Sequence, residues 1–320
     1  MKIVQFIKNW TLPISMLTGV AGYFIYVNIP ALDGTHALAN TLISYIQPLL
    51  IFAMLFVNFC RISPRDLRPH SWMLKPLAVQ SLSFVAMGLL IIFLPEMPGR
   101  VIIESAMICM ICPTATAAAV VTTRLNGNAS TVISYTCIIN LTASLLIPAI
   151  VPFLHDLPNT DLSFEHSFLL IMGKVFPLLI LPLLTAWLLK YLAPKVHEKV
   201  KQQKDLSFNL WAIALALAIA VTVKAIMHTD ESIWNLIGIA LASLICCLLQ
   251  FAVGRHIGKH HGERIAVAQS LGQKNTVFAI WMGYTFMNPV TAMAGGFYSV
   301  WHNVVNSYQL YKERKENTQS

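Results

Sequence analysis

The chain has 320 residues, of which 56% are hydrophobic and 11% charged, against about 25% charged in an ordinary soluble domain. That much apolar surface excludes a soluble globular fold. The net charge of +8 then belongs to loops on the cytoplasmic side of a membrane and not to a surface for nucleic acid.

At roughly 20 residues per spanning helix, a chain of 320 residues holds about ten helices with short loops and no sizeable soluble domain. Long continuous apolar runs such as Ala212–Val223 and Leu241–Phe251 indicate helices. Strands of a membrane barrel would alternate over about ten residues instead. The expected fold is all-α and polytopic.

Segment one is expected over Trp10–Ile29. Lys2 and Lys8 before it, and Ala37-Leu38-Ala39 after it, resemble a secretion signal. The apolar run is long for a signal, however, and Asp33 separates it from the cleavage-like site, so it is expected to be a retained helix. Segment two follows at Leu38–Phe59 and segment three at Trp72–Leu94, the latter carrying Gln80. Loops are short, and several begin or end at proline: Pro30, Pro64, Pro95 and Pro158.

Segment four, Val101–Thr123, contains Cys112-Pro113-Thr114-Ala115-Thr116 in its middle. Pro113 donates no backbone hydrogen bond and clashes with the preceding turn. Carbonyls freed in lipid need other partners, and Thr114 and Thr116 can supply hydroxyls. Two readings stay open, a simple proline kink and a discontinuous helix whose second half aims its N-terminal dipole into a cavity. Glu104, near the outer end, is assigned no role.

Segments five to eight are expected at Ala129–Phe153, Phe168–Leu189, Leu206–Met227 and Ile233–Gly254. Thr136 and Asn140 in segment five are polar residues inside an apolar stretch. With Gln80 they are candidates for lining a central cavity, and interhelical hydrogen bonding accounts for each one alone. His260-His261 falls in a loop and is expected to be solvated.

Segment nine, Ile265–Phe286, holds Ser270, Gln273, Lys274, Asn275 and Thr276 within an otherwise apolar run. Lys274 lies about 15 Å into the segment at about 1.5 Å per residue, too deep for its ammonium to reach water easily. It either pairs with helix carbonyls as a structural group or faces a cavity. Segment ten, Pro289–Leu310, carries Asn303 and Asn306 as candidates for the same cavity.

The basic residues fit this layout. Of the 22 Lys and Arg residues, Arg100, Lys174 and Lys224 fall on one side of the membrane. Lys274 falls inside a segment, and all the others fall on the N-terminal side. This alternation places both termini in the cytoplasm of a cell whose inner membrane holds the chain. Ten helices divide into five over residues 1–160 and five over 161–320, within one membrane domain. Halves with an odd number of helices are inverted relative to each other, as in inverted-repeat secondary transporters. Segments four and nine occupy matching positions, and both are interrupted.

Other chemistries find little support. Cys60, Cys109, Cys112, Cys137, Cys246 and Cys247 lie in apolar runs or at a helix end and suggest neither a disulfide nor zinc. No metal and no cofactor is expected. Paired acids, a His-rich set and a Gly-x-Ser-x-Gly motif are all missing from the segments, which argues against a membrane-embedded enzyme.

The two interrupted segments resemble those of the bile acid:sodium symporter superfamily, and the resemblance covers nearly the whole chain. The family's Cys-Pro-Gly-Gly-x-Ala-Ser-Asn corresponds to Cys112-Pro113-Thr114-Ala115-Thr116-Ala117-Ala118-Ala119. Its Glu-x-Gly-x-Gln-Asn-Ser corresponds to Ser270-Leu271-Gly272-Gln273-Lys274-Asn275-Thr276. Gln80 and Thr136 match positions that serve sodium sites there, and Arg124 with Gly127-Asn128 matches the turn after segment four. The resemblance implies a core in which segments four and nine cross, beside a panel containing segments one, two, six and seven.

The departures from the family alter its ion chemistry. The Ser-Asn sodium ligands are Ala118 and Ala119, the shared acid is Ser270, and the glutamine is Lys274. An ammonium repels a sodium ion by about 4 kcal/mol at 4 Å in an effective dielectric of 20. Sodium coupling of the family's kind is therefore not expected, and Lys274 would stand where a cation sits. Because desolvated lysines give up protons readily, three roles stay open: proton coupling, a fixed charge for uncoupled transport, or contact with an anionic substrate.

The function expected is secondary transport of a small organic anion by alternating access, since helix N-termini and Lys274 favour negative charge. The alternative is a non-transporting membrane sensor on the same fold. The sequence leaves monomer and homodimer undecided.

Overall fold

The structure, a computed structural model, describes residues 11–62, 67–154, 163–203 and 205–319. Expectations that rest on Lys2, Lys8, Trp10, Pro64, Arg65, Pro158 and Lys204, and the expected boundary between residues 160 and 161, fall outside the described residues.

Helix α1 (Thr11–Asn28) leads through a 3-10 turn at Pro30–Thr35 into α2 (His36–Phe59). Pro30 begins that turn, where its missing N–H would have no partner anyway. A second short turn, Ser71–Met73, precedes α3 (Leu74–Phe93). Gly99 adopts φ 70, a left-handed conformation suited to glycine, and starts α4 (Arg100–Ile111). Glu104, to which sequence assigned no role, is buried and paired with Arg100 at 2.7 Å; Arg100 also donates to the Pro95 and Leu154 carbonyls. The pair clamps the start of α4.

Then come α5 (Ala118–Arg124) and α6 (Ala129–Ile150), the latter capped by the Asn128 side chain, which accepts from Ser130 N. Helices α7 (Phe164–Leu192), α8 (Pro194–Gln202) and α9 (Leu206–Met227) follow. Ser232 caps α10 (Ile233–Lys259), and α11 (Arg264–Gly272), α12 (Thr276–Phe286) and α13 (Ala292–Gln319) complete the order. Among the described residues there is no strand.

Among the described residues, six helical stretches are long and apolar enough to cross a membrane: Pro30–Phe59, Ser71–Phe93, Ala129–Phe153, Phe164–Leu192, Leu206–Met227 and Ile233–Lys259. They coincide with expected segments two, three, five, six, seven and eight. Many of their large apolar side chains are exposed, Leu49, Phe93, Leu188 and Leu241 among them, as lipid-facing residues are. Expected segments four and nine are each two short helices instead. Pro113 interrupts the first. In the second, Gly272 ends one helix and Asn275 caps the next.

The chain divides into two compact units that do not follow its sequence halves. One takes the chain through Arg61 and Pro182–Asp230, and in it α9 packs on α1 and α2. Gly19 admits the close approach there, since a Cβ would lie 2.4 Å from the Ala216 carbonyl oxygen. The other takes Ile62–Leu181 and Glu231–Ser320, so the boundary falls within α7. In it α10 packs along α11 and against α4 and α13, and α3 packs on α4. Gly254 and Gly258 bring α10 close to the α11 backbone: a Cβ on either would lie 2.7 Å from the Cα of Ala268 or Arg264.

Candidate functional site

Helix α4 ends because Pro113 has no N–H for the Cys109 carbonyl four residues back. Gln250 on α10 replaces that donor, its Nε2 reaching the Cys109 carbonyl at 3.2 Å. The Met110 carbonyl accepts from Gln80 Nε2 at 2.9 Å and from Lys274 Nζ at 3.4 Å. Gln80 Nε2 also lies 3.3 Å from the Cys112 carbonyl, while its Oε1 accepts from the Tyr135 hydroxyl at 2.5 Å. Both ends of one buried amide are thus committed, which fixes its orientation.

The second break answers the first. Residues 112–117 and 273–275 join their short helices as non-helical chain, with a turn at 116–117. Thr114 and Lys274 pair across an isolated antiparallel bridge. Ala115 N donates to the Gln273 carbonyl and Asn275 N to the Pro113 carbonyl, each at 2.8 Å. The Thr114 hydroxyl donates to the Ser270 carbonyl at 2.6 Å, and the Tyr298 hydroxyl to the Gly272 carbonyl at 2.9 Å. The Cys112 thiol donates to the Asn275 carbonyl at 2.9 Å. Two interruptions that would each strand backbone groups in an apolar surrounding satisfy one another.

Lys274 is 1% exposed. Its electrostatic neighbours are the thiols of Cys112, Cys109, Cys246 and Cys247. Among the described residues no carboxylate pairs with it. Its ammonium instead occupies the C-terminal end of α4, where freed carbonyls carry the negative end of the helix dipole. The site can therefore hold one positive charge on carbonyl oxygen. Among the described residues no group of three or more His, Cys, Asp or Glu side chains could hold a metal ion.

Of the residues singled out from sequence, Gln80, Thr114, Ser270, Gln273, Lys274, Asn275 and Thr276 lie at this junction, all buried. The Asn275 side chain caps α12 by accepting from Phe278 N at 3.3 Å, and Thr276 N donates to the Lys274 carbonyl at 3.0 Å. Ser270 Oγ and Gln273 Oε1 have no hydrogen-bond partner. Thr116 is half-buried in the first break. Thr136 and Asn303 behave differently, each bonding back to its own helix, at the Val132 carbonyl (2.8 Å) and the Ser299 carbonyl (2.6 Å). Asn140 reaches the Leu179 carbonyl at 3.4 Å, an interhelical contact, and Asn306 bonds to Gln269.

Sequence reasoning passed over Tyr135, Gln250 and Tyr298. Gln250 did leave a signal, being a lone amide at the end of the apolar run Leu241–Phe251. The tyrosines left none, because an isolated tyrosine in a membrane helix is commonplace.

The sequence model of the SBF-like CPA transporter family, related to the bile acid:sodium symporters, matches residues 20–298. No curated protein matches the chain.

Proposed function

The chain belongs to the SBF-like CPA transporter family, and from that premise we propose that it is a sodium-independent secondary transporter of a small organic anion, working by alternating access. The observation that carries this reading is the Lys274 ammonium on the Met110 carbonyl, at the junction of the two breaks. A charge there does what a bound monovalent cation would do, neutralising the carbonyl end of α4, in one form permanently and in the other with its proton lost and regained during the cycle. The near-complete burial of Lys274 favours that role over direct contact with substrate.

In this proposal the chain forms ten helices in the inner membrane, five plus five and inverted, with both termini in the cytoplasm. The pairs α4/α5 and α11/α12 are its discontinuous members, in a core that moves against a panel of segments one, two, six and seven. The substrate is anionic in keeping with the N-terminus of α12 and with the family resemblance.

The test is a thermal-shift screen of organic acids with and without sodium, at acidic and neutral pH, followed by uptake of the stabilising acid into proteoliposomes. Uptake unchanged by replacing sodium with potassium is expected, and strict sodium dependence overturns the proposal. Lys274→Gln separates its two forms, since loss of pH dependence identifies proton coupling. Stabilisation by a ligand that never crosses the membrane would identify a sensor instead.

A further inference from the structure

One face of α13 carries Tyr298, Ser299, His302, Asn306 and Gln309, spaced so that they line a single side of the helix. They extend over about 16 Å, at about 1.5 Å per residue. The first four are no more than 4% exposed. Gln250 and Gln269, both 0% exposed, meet this face. Gln250 Nε2 donates to the Tyr298 hydroxyl at 3.1 Å, and Gln269 Nε2 donates to both Asn306 Oδ1 and Gln309 Oε1 at 3.0 Å.

The hydrogen bonding of this seam does not close on itself. Gln250 Oε1, Gln269 Oε1, Ser299 Oγ, His302 Nδ1, Asn306 Nδ2 and Gln309 Nε2 are buried without a partner. Reorienting amides does not help. Turning Gln269 alone sets oxygen against oxygen, turning Gln250 sets its oxygen against the Cys109 carbonyl, and turning Gln269, Asn306 and Gln309 together only exchanges which three of their atoms are orphaned. Buried polar atoms are nearly always partnered, and in a membrane helix an orphan has no solvent to turn to. Something that the protein does not itself supply must answer them.

We propose that this seam binds a file of water molecules running from the Tyr298 end, where the hydroxyl touches the Gly272 carbonyl of the junction, to Gln309. The chemistry of the orphans selects water. Amide N–H groups and amide oxygens stand unpartnered side by side, with a serine hydroxyl and an imidazole nitrogen between them. Their occupant donates and accepts equally, which a simple anion or cation does not. No side chain of the seam carries a fixed charge, and a buried water needs only two to four polar partners. The file gives the junction a route to water along α13, and it stands whether or not the chain transports.

The test is hydroxyl-radical labelling of the full chain in lipid nanodiscs, with radicals generated by X-rays in water and no substrate added. Tyr298 and Tyr135 share their chemistry and their burial, 1% and 0% exposed, but Tyr135 packs against Trp72, Ile139 and Val267. Labelling of Tyr298 on the order of tenfold faster than Tyr135, together with labelling of His302, is expected where water is bound inside. Tyr298 and His302 as slow as Tyr135, or only one of them labelled, overturns a continuous file. Asn306→Leu should suppress labelling of His302 and leave exposed Tyr308 unchanged; His302 labelled as before overturns the assignment of Asn306 to the file. If that variant fails to fold, the comparison within the native chain still decides. Transport plays no part in the readout, so failure here is distinguishable from failure of the transporter reading.

Discussion

The Lys274 ammonium lies 3.4 Å from the Met110 carbonyl oxygen, joining residues on two interrupted segments far apart in sequence. Each partner answers a problem created by the other's surroundings. Met110 sits at the end of a helix that Pro113 prevents from continuing, so its carbonyl lacks the usual donor. Lys274 is a buried cation for which a helix C-terminus supplies partial negative charge. Desolvating a charge is nevertheless expensive, so the arrangement is expected to trade stability for function.

That trade is measurable with Lys274→Met, which keeps an unbranched chain and removes the charge. The variant should unfold at a higher temperature than the native protein, by the equivalent of roughly 1–3 kcal/mol, while losing transport. A lower unfolding temperature in nanodiscs would show that the ammonium is net stabilising where it sits.

Gln80 is the other donor to Met110, and it also holds Cys112 and Tyr135. Gln80→Leu leaves these groups without that partner and should cost about 2–4 kcal/mol, whereas Tyr135→Phe should cost about 1 kcal/mol. Because the two side chains share a bond, the double variant should be little worse than Gln80→Leu alone. Strict additivity in thermal unfolding would contradict a linked pair.

Packing between α10 and α11 rests on glycine. A Cβ at Gly254 would lie 2.7 Å from both Ala268 Cα and the Val267 carbonyl oxygen, and backbone atoms cannot step aside as a side-chain tip can. Gly254→Ala should destabilise by about 1–3 kcal/mol. At Gly22 nothing lies within 4 Å of the same added atom. Gly22→Ala in α1 should stabilise by about 0.5–1 kcal/mol through helix propensity. Equal effects of the two substitutions on unfolding temperature would count against the close approach.

His197 on α8 supplies a pH dependence. Its own burial, and then the nearby Lys190 ammonium, hold its imidazole below the usual histidine range; Glu198 opposes them, Lys201 adds to them, and a backbone hydrogen bond at Cys60 opposes more weakly. As pH falls through about 6.5, the unfolded chain takes up a proton at this histidine while the folded chain does not. The unfolded state then binds more protons, so stability falls with falling pH. His197→Gln should lose less unfolding temperature than the native chain between about pH 7.5 and pH 5.5. An unchanged slope would assign the acid sensitivity elsewhere.

Several features of the fold were legible one residue at a time. Pro113 predicts an interruption because the missing N–H is a property of proline itself, and Lys274 stands out because an ammonium in an apolar run needs an explanation wherever it occurs. By contrast, Thr136 and Asn303 resembled junction residues by type and depth, yet each bonds to its own helix. Whether a hydroxyl or amide turns inward along its helix or across to another depends on a neighbour that the local sequence does not contain.

The long apolar runs and sparse charge of the sequence were enough to determine a helical membrane protein, because burial in lipid is decided by composition and length. They also located both breaks. Only the tertiary structure decided that the breaks pair with each other through Thr114 and Lys274, that Gln80 and Gln250 take over the carbonyls freed by Pro113, and that Tyr298, His302 and Asn306 share a buried face with Gln250 and Gln269. The physical reason is reach. A hydrogen bond acts over about 3 Å, while these partners are separated by tens of residues or more along the chain, so nothing short of packed helices brings them together.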